Sequence, residues 1–185
     1  MTPTQVSRPA TPDDVEAMAH IYNEGITDRV ATFETRLRSP EDVRAWFDGL
    51  HPVVVIERDN EIVAFASTSS YRPRECYAGI AEASVYVARS ARRSGAGSLA
   101  VAALIEAAEN AGFWKLLSRV FVENHPSRNL VRKFGFREVG IYEKHAQLDG
   151  VWRDVVIIER LLPANLTSGD VKRGPPFEPD QCVMA

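Results

Sequence analysis

The sequence predicts an α/β fold built on a mixed sheet. Three observations carry this. The β-branched run Val53-Val54-Val55-Ile56 turns at Asp59-Asn60 and returns as Ile62 to Thr68, which reads as a hairpin. The strand Ala81 to Val87 runs through two glycines, Gly95 and Gly97, into an alanine-rich helix from Leu99 to Ala111. Glu138 to His145 and Trp152 to Leu161 form two more strands joined through Asp149-Gly150, a hairpin turn dipeptide.

The elements follow in order. Arg8 to Ala10 is a short extended start. Thr11-Pro12-Asp13-Asp14 is a helix entry: Thr11 caps, Pro12 takes the first helical position, and the acids face the positive end of the helix dipole. Val15, Met18, Ala19 and Tyr22 recur at helical spacing, and Gly25 is expected to end or loosen that helix. Thr27 to Leu37 has no period and reads as a loop. Ser39-Pro40-Glu41-Asp42 repeats the entry chemistry, with Val43, Trp46 and Phe47 on one face. Tyr71-Arg72-Pro73-Arg74-Glu75 interrupts the strands. Beyond Gly112, which closes the long helix, Trp114 to Val122 is a strand and Pro126 to Lys133 a short helix. Residues 1–163 read as one domain and 164–185, rich in proline and aperiodic, as a flexible or loosely docked tail.

Composition narrows the function. At 185 residues the chain suits a single domain and needs no disulfide or metal to hold its core. A net charge of −3 argues against non-specific nucleic-acid binding. No apolar run reaches the ~18 residues of a membrane span, and the N-terminus has no secretory h-region. Cys76 and Cys182 lie far apart, and the four histidines make no metal-binding pair, so no metal site is expected. The expectation is a cytoplasmic protein with neither nucleic-acid nor membrane partner.

The stretch Arg92-Arg93-Ser94-Gly95-Ala96-Gly97-Ser98 carries the chemistry. Glycines at a strand-to-helix turn expose backbone N–H groups at a helix N-terminus, where they and the helix dipole favour a phosphate or diphosphate. The bland alternative is a tight turn with solvated arginines. A Walker loop would need a lysine after its last glycine, yet Ser98 follows Gly97. A dinucleotide fingerprint fits Gly95-x-Gly97-x-x-Ala100 but lacks an acid about 20 residues on, where Lys115 to Ser118 stand.

These residues resemble the GCN5-related N-acetyltransferase (GNAT) superfamily. The loop matches its signature as Arg92-x-x-Gly95-x-Gly97, and Asn124-His125-Pro126-Ser127 with Gly135-Phe136 matches its second half. The resemblance spans about residues 6–163. Ile21-Tyr22-Asn23-Glu24-Gly25, Ala31-Thr32-Phe33-Glu34, Tyr71-Arg72-Pro73-Arg74, Glu82 to Val87 and Gln147 to Val155 are similar to the phosphinothricin, methionine sulfoximine and arsinothricin N-acetyltransferase branch, most of all to the arsinothricin enzymes. It implies a GNAT fold: an α+β architecture whose mixed, mostly antiparallel central sheet is flanked by helices.

The resemblance also implies roles. Acetyl-CoA would be the cosubstrate. The backbone of Val85, Tyr86 and Val87 would pair with its pantetheine arm, as an added strand does. Arg92 would belong to the diphosphate signature, and the N–H groups of Arg93, Ser94, Gly95, Ala96, Gly97 and Ser98 would hold the diphosphate. Asn124 would contact the pantetheine or acetyl region, with Ser127 one turn on. Glu82 would be the general base that takes a proton from the substrate ammonium; the plain alternative is an outward-facing, solvated strand glutamate. Arg72 and Arg74, whose forks suit carboxylate or phosphinate groups, would bind substrate, or be surface arginines. Phe33 would pack on the substrate or anchor the core, and Tyr77 is a further substrate candidate. Many relatives place a proton-donating tyrosine or histidine where this chain has Val131, so no general acid is assigned. The branch implies a homodimer, with Arg153 and Asp154 as structural pairs or as reach into a partner's pocket. The implied function is acetylation of the α-amino group of a glutamate-like analogue, for detoxification or antibiotic resistance. The alternatives are a protein or peptide N-acetyltransferase, or an idle acyl-CoA-binding module.

Overall fold

The computed structural model describes residues 4–166. Seven strands form one sheet in the order β1-β2-β3-β4-β5-β7-β6. They are β1 (Gln5–Pro9), β2 (Val53–Arg58), β3 (Glu61–Ser70), β4 (Ile80–Val87), β5 (Lys115–Phe121), β6 (Arg137–Leu148) and β7 (Val151–Leu161). Four helices accompany them: α1 (Val15–Asp28), α2 (Pro40–Arg44), α3 (Ala96–Asn110) and α4 (His125–Arg132). The expected mixed sheet is present: every neighbouring pair is antiparallel except β4 and β5.

Alternation along β4 shows how the helices cover the sheet. The Tyr86 ring lies against Gly25 of α1, while Val87 lies against Gly97 of α3. Successive strand residues point to opposite faces, so α1 and α3 pack on opposite sides. On the α1 side, Tyr86 stacks on Phe65 at 5.3 Å and meets Tyr22 edge-on at 4.7 Å. On the α3 side, Val101, Leu104 and Leu116 are buried.

The hairpin turns expected at Asp59-Asn60 and Asp149-Gly150 occur, and all four residues take positive φ as tight hairpin turns require. Gly25 differs from expectation. The helix runs through it to Asp28 and ends at Arg29, which adopts the left-handed conformation at φ 58°. The glycine is there for space: a Cβ at this position would lie 3.1 Å from the Tyr86 ring. The chain beyond β7 packs back on α3. Pro163–Asn165 forms a helical turn, and the Asn165 amide donates to the carbonyls of Glu109 and Phe113 at the end of α3. Residues 167–185 of the expected tail lie outside the described residues.

The start of α1 is fastened to the first strand. The Asp14 carboxylate accepts two hydrogen bonds from Arg8, each 2.8 Å, and one from the Thr11 N–H. The Arg8 bonds hold its carboxyl below the usual range, against the opposing pull of burial. A depressed folded-state value stabilises the fold fully above the unfolded value of ~3.9, and that stability fades as pH falls through the folded value. Arg8 keeps 36% of its side chain exposed, which weakens the pair. Asp14→Asn is expected to lower the unfolding free energy by about 1–2 kcal/mol at pH 7. In urea titrations the gap to the parent should narrow as pH falls below the unfolded value of ~3.9 and through the lower folded-state value. A gap that stays constant down to pH 2 would contradict this account.

Candidate active site

The site begins where a pairing stops. Strands β4 and β5 pair over only three residues: Ile80 with Lys115, Ala81 with Leu116, and Glu82 with Leu117. Beyond Glu82, β4 stays on β3 as far as Val87 with Ala64, and β5 stays on β7 as far as Phe121 with Val155. The two halves of the sheet therefore diverge. A cleft of about 810 Å³ opens between them and runs to the N-terminus of α3.

Ten of the expected binding residues line this cleft: Val85, Tyr86, Val87, Arg92, Arg93, Gly95, Gly97, Ser98, Asn124 and Ser127. Past Glu82 the β4 backbone has no neighbour on its β5 side, so its peptide groups face the opening. At the α3 end the loop has positive φ at Arg93 (64°) and Gly95 (92°). Gly95 precedes the first helical residue, and a Cβ there would project into open space. The first-turn N–H groups of a helix have no carbonyl within it, so those of Ala96, Gly97 and Ser98 are turned towards whatever lies beyond the end. Gly97 lets α3 approach α4: a Cβ would sit 3.1 Å from Leu130 and 3.3 Å from Val87. A concave set of N–H groups beside cations suits a diphosphate, and an open strand edge suits an amide chain.

The cations are unequally engaged. Asp28, at the end of α1, accepts from both Arg89 (2.6 Å) and Arg92 (2.5 Å). Its carboxyl is held below its usual value chiefly by the bond from Arg89. Arg92 thus ties the loop to α1, whereas Arg93 has no carboxylate partner among the described residues. Lys133 of the α4 end also lines the cleft.

Ser94, Ala96 and the substrate candidates do not line the cleft. The Ser94 hydroxyl donates to Ala91, and the Ala96 side chain is buried. Asn124 caps α4 by accepting from the Ser127 N–H and donates its amide to Val30, so it fastens the 29–39 loop beside the cleft. Phe33, on that loop, meets Phe121 edge-on at 4.8 Å and lies near His145. Arg72 and Arg74 are exposed on the β3–β4 connection, each over a tyrosine ring, Tyr71 and Tyr77 respectively. They share the Glu82 end of β4 but do not line the cleft. Arg153 pairs with Glu123 at 2.5 Å, and Asp154 accepts from the Lys144 N–H, so both have structural partners within the chain.

Glu82 is one of the last paired residues before the divergence, and its side chain lies on the Tyr86 face of the sheet. It is not solvated outward: its side chain is 25% exposed, and both oxygens accept from Arg119 at 2.8 and 2.7 Å. Arg119 lines the cleft where Glu82 does not. No local pattern singles out Arg119, because an arginine on a strand reads as a solvated one. Its position two residues past Leu117, on the same face as Glu82, follows from register alone. Partial burial of Tyr86 beside Tyr22 pushes its hydroxyl well above a tyrosine's ordinary value. Val131 is buried at 9% exposure on the α3 side and is apolar, so it donates no proton. Among the described residues no cluster of His, Cys, Asp or Glu could hold a metal, and no helix is long and apolar enough to cross a membrane.

Comparison with known proteins agrees with this geometry. Residues 16–136 match the Acetyltransferase (GNAT) family. The phosphinothricin N-acetyltransferase of Streptomyces coelicolor is 32% identical over 162 residues, covering 84% of this chain and 95% of that one. The L-methionine sulfoximine/L-methionine sulfone acetyltransferase of Pseudomonas paraeruginosa is 29% identical, covering 79% and 88%. Among solved structures, the ribosomal-protein-alanine N-acetyltransferase of Brucella melitensis superposes with a TM-score of 0.81 at 32% identity, covering 85% and 99%. The GNAT superfamily phosphinothricin acetyltransferase of Sinorhizobium meliloti, solved in complex with AcCoA, gives 0.79 at 26% identity, covering 88% and 89%. Family match, sheet order and diverging strands agree: this chain belongs to the acetyltransferase (GNAT) family and is an N-acetyltransferase.

Proposed function

We propose that this enzyme transfers the acetyl group of acetyl-CoA to the α-amino group of a glutamate-like amino-acid analogue, with phosphinothricin, methionine sulfoximine and arsinothricin as the candidates. The product would be a neutral amide, which suits a detoxification or resistance role in the cytoplasm. One observation carries the reading: an open strand edge leads from a helix N-terminus to a carboxylate, Glu82, at the closed end of the divergence. The curated relatives named for phosphinothricin and methionine sulfoximine support the substrate class.

In this reading the N–H groups at Gly95 to Ser98, with Arg93 and Lys133, hold the diphosphate. The β4 backbone from Val85 to Val87 pairs with the pantetheine amides. Bound there, acetyl-CoA supplies an activated acyl carbon. Glu82 accepts the proton that the ammonium must lose before its nitrogen can attack. Arg119 keeps the Glu82 carboxylate oriented and places a positive charge where an α-carboxylate would arrive. The departing thiol has a pKa of ~8.5, so it can leave as a thiolate without a proton from Val131's position. Arg72 and Arg74, at the Glu82 end of β4, serve the substrate's second acidic group.

A second reading is favoured by the name of the Brucella structure: the acceptor would be a protein N-terminus. A thiol-release assay with free amino acids and peptides separates the two. Release with methionine sulfoximine or its analogues supports the lead, and release only with peptides supports the second. Binding of acetyl-CoA with no release from any acceptor would indicate an idle module. We also propose a second copy of this chain as partner. Val139, Ile141 and Tyr142 on edge strand β6, with Val151 and Trp152 on β7, are about half exposed and lie on both faces of the sheet's free edge, where a copy joining that edge would cover them.

Two variants test the roles. Glu82→Gln is expected to lower kcat/KM by about 10²–10⁴ at neutral pH. The deficit should narrow as pH rises towards the pKa of the substrate ammonium, where the neutral amine no longer needs a base. A rate equal to the parent's across that range would remove Glu82 from the mechanism. Arg74→Ala is expected to raise KM for the amino acid about tenfold while leaving that for acetyl-CoA within about twofold. Equal effects on both would point to a folding defect and count against the assignment.

A further inference from the structure

A second, smaller cavity adjoins the cleft on the α3 side of the sheet. Its volume is about 40 Å³, and it shares Val85, Ser118, Val120 and Ser127 with the cleft. Its inner wall is apolar, formed by Leu104, Val131 and Phe136. It therefore opens at the divergence of β4 and β5 and ends blindly against α3 and α4. About 10–15 Å³ of such volume already holds one water-sized group, so the space takes about three, the methyl of an acetyl and two further methylenes. Apolar walls offer a water too few partners, which makes hydrocarbon the better occupant. Glu82 and Arg119 lie on the opposite face of the sheet from Ala83 and Val120, so the cavity is on the far side from the proposed amine.

We propose that this cavity is an acyl-chain pocket, so that the enzyme accepts propionyl-CoA and butyryl-CoA as donors besides acetyl-CoA. This rests on the reading of the cleft as the thioester site. A thioester carbonyl at the divergence would direct its alkyl chain into the cavity and leave the carbonyl carbon open on the Glu82 side. The step is unchanged by chain length. Glu82 takes one proton from the ammonium, and the neutral amine nitrogen bonds the carbonyl carbon. The carbon–sulfur bond breaks with its electron pair leaving on the CoA sulfur, and the nitrogen's second proton passes through water to that thiolate, giving the CoA thiol. Val131 sets the room available: a longer side chain at this turn of α4 would fill the void.

Isothermal titration of the whole chain with acetyl-, propionyl-, butyryl- and hexanoyl-CoA tests this without an acceptor. Each methylene seated in the cavity is expected to tighten binding up to about fourfold, with the gain ending by hexanoyl-CoA. Val131→Phe should abolish the preference of propionyl- over acetyl-CoA, and Leu104→Ala should shift the optimum to a longer chain. Thermal melts identify any variant that fails to fold, and the two substitutions act in opposite directions. Propionyl-CoA binding more weakly than acetyl-CoA, or a ratio unmoved by both variants, would overturn the pocket while leaving the acetyltransferase reading intact. Failure of every thioester to bind would overturn the thioester reading of the cleft, and the pocket with it.

Discussion

A single parallel pairing, three residues long, organises this molecule. Strands β4 and β5 run side by side only from Ile80 to Glu82, with α3 as their crossover. A parallel connection needs such a crossover, and the helix that supplies it begins beside the strand it leaves. The N-terminus of α3 is therefore delivered to the same cleft that the divergence opens. Were the two strands paired along their whole length, β4 would have no free edge and the cleft would close.

The divergence also divides the chemistry between two faces. Glu82 and Arg119 lie on the α1 side, where partly exposed charges can meet a polar substrate. Ala83, Val120 and Val131 lie on the α3 side, in apolar surroundings. Strand alternation enforces this separation, because adjacent residues cannot share a face. A polar acceptor and an apolar acyl chain thus approach one carbonyl from opposite sides. Asp28 adds a brace: by holding Arg89 and Arg92 it fixes the glycine loop to α1, and so relates the anion-binding end to the helix that packs on Tyr86.

Much of this was legible in the sequence, for local reasons. Asp59-Asn60 and Asp149-Gly150 declare their hairpins because few residues tolerate positive φ. Ser39-Pro40-Glu41-Asp42 declares a helix start because its side chains cap the backbone: Ser39 and Asp42 exchange hydrogen bonds at 2.9 and 3.2 Å. What was hidden depends on register between distant strands. Arg119 meets Glu82 only because β5 is aligned to β4 by three residues, and no local pattern encodes that alignment. Gly25 misleads for the same reason: its partner, the Tyr86 ring, is distant in sequence, and a glycine kept for space looks like one kept for a turn. For Arg72 and Arg74 the residues left substrate and surface roles both open, since a proline-broken loop specifies no direction.

The most direct test is a crystal structure of the chain with acetyl-CoA. The diphosphate is expected on the N–H groups of Gly95 to Ser98, the pantetheine along the open edge of β4, and the thioester carbonyl at the end of the Glu82–Leu117 pairing. A cofactor bound outside this cleft, or a β4 edge that stays empty while the cofactor is held elsewhere, would contradict it.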